Sequence, residues 1–134
     1  GSPIESPAGI QGKATQFVMI LDALQLRLLE KIRSDLAGYS VVRSTSPLDN
    51  RAIWLEIFAG GIHKGNSCQT LLKKLNINCK EVAGLGNDYN DIDFLDICAE
   101  AYLVANAPVN LQRHYKLVKS DKEEGFTEFI SKVL

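Results

Sequence analysis

Residues 84–95 read Gly84-Leu85-Gly86-Asn87-Asp88-Tyr89-Asn90-Asp91-Ile92-Asp93-Phe94-Leu95, an acidic turn set between an apolar run and an amphipathic one. Side-chain oxygens crowded this closely need a cation, amide donors or water, because uncompensated like charges repel. The preceding Glu81-Val82-Ala83-Gly84-Leu85 has the character of a short buried strand, and the glycines allow a tight exit from it. In open α/β sheets, ligands bind at the C-terminal ends of strands. Taken alone, the turn reads more simply as a polar loop whose Asn and Asp side chains cap the following helix.

Upstream, Gly60-Gly61-Ile62-His63-Lys64-Gly65 leads into the helical pattern Ser67-Cys68-Gln69-Thr70-Leu71-Leu72-Lys73-Lys74-Leu75. Lys64 therefore stands near a helix N-terminus, where a cation opposes the helix dipole unless an anion lies nearby. Lys64 and the amide end of that helix could jointly face a phosphate. By itself, a lysine in this place is an ordinary solvated side chain.

Together the two segments resemble the C-terminal half of the haloacid dehalogenase superfamily, in its Cof-type and sucrose-phosphatase-like phosphatases. The matching residues are Lys64-Gly65, Gly86-Asn87-Asp88-Tyr89-Asn90-Asp91, Phe94-Leu95 and Asn106-Ala107, which fall in the family's order. The tail Ser120-Asp121-Lys122-Glu123-Glu124-Gly125-Phe126 is similar to the family's closing segment, so the resemblance spans 13–134. It implies hydrolysis of phosphate monoesters through an aspartyl-phosphate, with Mg²⁺ as cofactor and a phosphorylated small molecule, a sugar phosphate or similar, as substrate. It assigns Lys64 to the phosphate and the nucleophile's carboxylate, as the catalytic lysine. Asn90 goes to phosphate or loop positioning, Asn87 and Asp91 to the metal directly or through water, and Asn106 to the cleft. An Asn turning the loop before Pro108 is the alternative for Asn106.

Two departures from the family pattern carry weight. Asn87 stands where the family has the first Asp of its metal motif; its amide oxygen can ligate a cation but brings no charge. A shifted assignment would give the carboxylate role to Asp88. The family's Asp-x-Asp nucleophile motif does not precede the cap-like segment. The nearest imitation, Phe17-Val18-Met19-Ile20-Leu21-Asp22-Ala23-Leu24, has Leu24 in place of the second Asp. Asp22 instead reads as a helix cap. The chain is thus expected to be part of an enzyme, inactive alone; the alternative is a non-catalytic anion-binding or protein-interaction module derived from the same fold.

The elements that must position these residues divide into two patterns. Residues 14–20 read as a strand and 22–36 as a helix, with Leu21, Leu24, Leu28 and Ile32 on one face and Gly38 as a stop. Residues 39–44 and 53–58 read as two further strands joined by a turn over 45–50. In the second of them Ile53, Leu55 and Ile57 alternate with Trp54, Glu56 and Phe58, so one face is expected on the helix and the other toward solvent or a cleft. This β-α-β-β unit, 13–60, resembles part of the family's α/β cap.

Beyond Gly61, helices over 64–75, 90–99 and 124–133 alternate with strands over 82–85, 101–104 and 116–118. Such crossovers imply a parallel sheet. The expected fold class is α/β, the C-terminal half of a Rossmann-like core (61–134) preceded by the partial cap. The strand ending at Leu85 is expected to present an open edge, hence self-association or pairing with the N-terminal half.

Composition bounds the rest. The chain has 134 residues, 46% hydrophobic and 23% charged, with a net charge of -1. No basic field favours nucleic acid, and no apolar run is long enough to cross a membrane. Cys68, Cys79 and Cys98 lack metal-ligand spacing and read as reduced packing thiols of a cytoplasmic protein. His63 and His114 read as surface residues and Asp93 as solvent-facing. Gly1-Ser2 reads as an expression scar and 3–12 as a flexible lead.

Overall fold

The computed structural model describes residues 13–46 and 52–134. The turn expected over 45–50 lies largely outside them, as do the scar and lead. Among the described residues the architecture is mixed α/β with two three-stranded sheets, one antiparallel and one parallel.

The antiparallel sheet comprises β1 (Gln16–Asp22), β2 (Tyr39–Thr45) and β3 (Ala52–Ala59), with β3 in the middle. Its register pairs Leu21 with Ile53 and Met19 with Leu55, which places these side chains on one face. There Leu21, Ile53 and Leu55 bury against Leu29 of α1 (Leu28–Asp35), with Ile32 and Val41 at the margin. The alternation read for β3 holds: Trp54 and Glu56 lie on the opposite side and line a cleft.

The helix expected over 22–36 starts later. Asp22 accepts from the Leu24 amide at 2.9 Å and donates its own amide to the Gln25 carboxamide at 3.0 Å. These bonds satisfy the chain locally and produce a 3₁₀ turn, Ala23–Gln25, before α1 begins. Asp22 does cap a turn, as expected, but Leu24 is 88% exposed, and the apolar stripe is carried by Leu29 and Ile32 instead.

The parallel sheet runs in sequence order, β4 (Ala83–Gly86), β5 (Glu100–Val104), β6 (Lys116–Val118). All three strands match their expected spans to within about a residue. Leu95, Tyr102, Leu103, Val104, Ala107, Leu111, Val118 and Phe129 form its core. Leu103 is fully buried in the central strand, worth roughly 1.5–3 kcal/mol of apolar transfer. Phe129 of α5 (Gly125–Val133) meets Tyr102 edge-on at 5.4 Å, fastening that helix to the sheet. β4 forms one edge, as expected.

α2 (Lys64–Leu75) has its expected bounds and packs on α3 (Ile92–Leu95). Gly65 makes that approach possible: a Cβ there would stand 2.5 Å from the Asp93 carbonyl oxygen. The helix expected over 90–99 is a 3₁₀ turn, Tyr89–Asp91, followed by the single turn of α3. A further short helix, α4 (Val109–Gln112), follows Pro108. Cys79 is exposed rather than packed, whereas Cys68 and Cys98 are half-buried. Burial pushes the Cys98 thiol up, with Cys68 and Cys79 adding to the effect. No helix among the described residues is long and apolar enough to cross a membrane.

Candidate functional site

The acidic turn leaves β4 at Gly86, where a Cβ would stand 2.8 Å from Cβ of Asp91. A side chain there would hold the turn away from the strand; its absence lets residue 91 fold back over it. Asp88 is the N-cap of the next 3₁₀ turn, and its carboxylate accepts from the Tyr89 amide at 2.8 Å. Asp91 answers from the third position of that turn, completing a reciprocal capping box.

Asp91 is 3% exposed, so its charge must be compensated by protein groups. One oxygen, Oδ2, accepts from the amides of Asn87 at 2.8 Å and Asp88 at 3.2 Å. The other, Oδ1, takes the Lys64 ammonium in a short charged hydrogen bond. Lys64 is the first residue of α2, whose N-cap, His63, makes no side-chain capping bond. The cation that would oppose the dipole is therefore offset by a buried anion. Half of the Lys64 side chain stays exposed, and an ammonium has three donors.

Asn90 lines two adjoining cavities; one of them, of about 320 Å³, also takes Lys64 and His63. The Asn90 Oδ1 is buried without a hydrogen-bond partner among the described residues. The larger cavity, of about 790 Å³, is lined by Arg43, Trp54 and Glu56 from the antiparallel sheet and by Asn87, Asn90 and Asn106 from the turns that follow β4 and β5. Asn106 thus reaches the cleft, while its amide group clasps Asp121 through bonds of 2.8 and 3.2 Å. His63 is half-buried, not a surface residue; its Nδ1 lies 3.3 Å from the exposed Asp93 carboxylate without an aligned hydrogen bond. His114 is exposed, as expected.

Magnesium takes oxygen ligands in octahedral geometry. The turn offers side-chain oxygens from Asn87 and from Asn90, whose orphaned buried acceptor suits a cation or its water. Its one inward carboxylate, Asp91, already serves Lys64 and two amides. Among the described residues no group of three or more His, Cys, Asp or Glu gathers to hold a metal ion. These donors would fit part of a magnesium shell and bring little of the charge it needs.

The sequence pattern missed one contact. Thr45, at the end of β2, donates its amide to Asp88 Oδ2 at 2.5 Å and its hydroxyl to Asp88 Oδ1 at 2.9 Å. Beside it, the Arg43 guanidinium lies 3.6 Å over the Tyr89 ring. The shifted assignment of Asp88 to a metal therefore meets a carboxylate whose two oxygens are engaged. Nothing in the local pattern pairs residues 43 positions apart.

A family model described as haloacid dehalogenase-like hydrolase matches residues 8–130. A protein of Streptococcus pyogenes serotype M6 that carries a provisional phosphatase name is 27% identical over 95 residues, which is 70% of this chain and 33% of that protein. A similarly named protein of Buchnera aphidicola from Acyrthosiphon pisum is 26% identical over 82 residues, 59% of this chain and 30% of its own length. This chain thus spans about a third of the length of the curated relatives it matches. Among solved structures, the protein SMU.1108c of Streptococcus mutans UA159 superposes with a TM-score of 0.78 at 23% identity, over 96% of this chain and 48% of that one. The subclass IIB sugar phosphatase BT4131 superposes with a TM-score of 0.70 at 14% identity, over 87% of this chain and 42% of that one.

Proposed function

This chain belongs to the haloacid dehalogenase-like hydrolases, and on that premise we propose that it supplies the phosphate-binding lysine and the metal-binding turn of a Mg²⁺-dependent phosphatase. In this reading residues 61–134 are the C-terminal half of the core and 13–60 part of a cap over the cleft. The substrate is a phosphate monoester of a small molecule. A sugar phosphate suits the polar cleft, and the structurally similar BT4131 is a sugar phosphatase.

The observation that carries the reading is the Lys64–Asp91 pair. Phosphoryl transfer needs positioning and charge neutralisation above all. Lys64 keeps one donor on Asp91 and turns the others to the phosphate, beside amides of the α2 N-terminus that no side chain caps. Asn90 orients the phosphate or the loop. Magnesium, when bound, neutralises charge on the transferring group; Asn87 would hold it through its amide oxygen and Asp91 directly or through water. The phosphoryl acceptor in this reading is the carboxylate of an Asp-x-Asp motif outside these residues, and the covalent intermediate is its aspartyl-phosphate.

The test compares this chain with the full-length protein, using para-nitrophenyl phosphate and Mg²⁺. The 134-residue chain is expected to be inactive. The full-length protein is expected to turn over, and Lys64→Ala to lose on the order of a hundredfold or more in kcat. Turnover by the chain alone that survives repurification and vanishes in Lys64→Ala would show that the acceptor lies within it. A second reading, a non-catalytic anion-binding module, is favoured by the neutral Asn87; it predicts phosphate binding without hydrolysis by the full-length protein.

A further inference from the structure

Asp88 sits in the acidic turn and lines the larger cavity, yet both its carboxylate oxygens are taken by protein donors. It is 8% exposed, and its carboxylate accepts from the amide and hydroxyl of Thr45 on the outer edge of β2, at 2.5 and 2.9 Å. Hydrogen bonds to a carboxylate are about twice as strong as neutral ones, and two on one residue fix its orientation as well as its distance. We propose that Asp88 is a positioning residue that pins the antiparallel sheet to the acidic turn and so sets the width of the cleft between them.

Three further observations agree. The third bond on Asp88, from the Tyr89 amide, anchors the carboxylate to the very turn that carries Asp91. Arg43, two residues before Thr45, lays its guanidinium on Tyr89, so the pin has a second point of contact on the same strand. An edge strand also needs cover for its outward amides, and here a side chain from another element supplies it. Trp54 and Glu56 of β3 line the cleft beside Asn87 and Asn90, so any swing of the sheet about this clasp moves them relative to the turn.

The consequence can be read without turnover, so its failure and that of the phosphatase reading are distinguishable. Trp54 is the chain's one tryptophan and lies in the cleft wall. In Asp88→Ala the Thr45 amide is expected to exchange hydrogen about tenfold faster, the scale of one lost charged bond. Acrylamide quenching of Trp54 is expected to rise, while the Leu55 and Leu103 amides keep their protection. Thr45→Val, which retains the amide and loses the hydroxyl, is expected to raise Trp54 quenching by less. Thr45→Ser is expected to restore wild-type quenching. Unchanged Thr45 exchange in Asp88→Ala overturns the proposal, as does an equal loss of protection at Leu55 and Leu103. Should Asp88→Ala not fold, the Thr45→Val and Thr45→Ser pair decides: quenching identical to wild type in both overturns it.

Discussion

Lys64 and Asp91, 27 positions apart, form an ion pair of unequal exposure: the lysine side chain is 50% accessible and the carboxylate 5%. A ligand can reach the cation while the anion stays sealed behind it. The carboxylate also holds two backbone amides, so the pair joins the start of α2 to the turn after β4 and carries both the electrostatics and the local fold.

Asp91→Ala should therefore destabilise the chain more than Lys64→Met. The first change orphans two amides and the ammonium, a loss of about 2–4 kcal/mol. The second removes a half-exposed cation and leaves the carboxylate its amide donors, about 1–2 kcal/mol after allowance for solvent screening. Urea denaturation of both variants decides the order, and a larger loss in Lys64→Met would contradict it.

The proposed magnesium role separates Asn87 from Asp91. In the full-length protein, Asn87→Asp adds an anionic ligand and should lower the Mg²⁺ concentration for half-maximal activity. Asp91→Ala should raise it sharply or abolish activity. A magnesium titration with opposite shifts is the expected outcome; no shift in Asn87→Asp would remove Asn87 from the proposed metal shell.

Gly65→Ala places a methyl group against the backbone oxygen of Asp93, where neither helix can yield easily. A loss of about 1–3 kcal/mol is expected from such overpacking. Gly38→Ala meets nothing within 4 Å and serves as the control, expected to stay within about 0.5 kcal/mol of wild type. Equal effects would mean that the α2–α3 approach is not fixed by this glycine.

Glu100 receives hydrogen bonds from Lys116 and Tyr102, and these bonds hold its carboxyl below its ordinary value of 4.5. The hydrogen bond to Glu100 is in turn the main reason the Lys116 ammonium is raised above 10.5. A lowered carboxyl stabilises the fold above its unfolded value and loses that contribution as pH falls through the folded one. A raised ammonium stabilises below its unfolded value and loses it as pH rises through the folded one. Glu100→Gln should accordingly reduce the pH dependence of the melting temperature below about pH 4.5 and above about pH 10.5, leaving its shape between them unchanged.

How far each element was legible in the sequence depends on the range of the contacts that shape it. α2 is bounded by a glycine-rich approach and a left-handed Asn76, so its span was legible. β6 and β5 were legible as apolar runs between turns. The helix expected from Asn90 was not, because Asp88 and Asp91 turn their carboxylates back on nearby amides and draw the chain into a 3₁₀ turn. Leu24 misled for the same reason: Asp22 binds its amide before a helix can begin. The family resemblance singled out Lys64 and Asp91, and the structure brings the two side chains into contact. Thr45 was not legible, since its partner Asp88 lies 43 positions away, in the turn after β4.

The order of strands in the two sheets bears on how the chain finds its fold. In the parallel sheet each strand pairs with the one that precedes it, so loop closures are short and can occur stepwise as the chain collapses. The antiparallel sheet differs: β2 and β3 are adjacent in sequence, but β1 must reach past β2 to join Gln16 with Phe58. That closure spans most of the unit and has the greater entropic barrier. Topology thus makes β1 the late arrival, and a transition state probed by mutation should show Leu103 and Val104 more native-like than Met19 or Leu21.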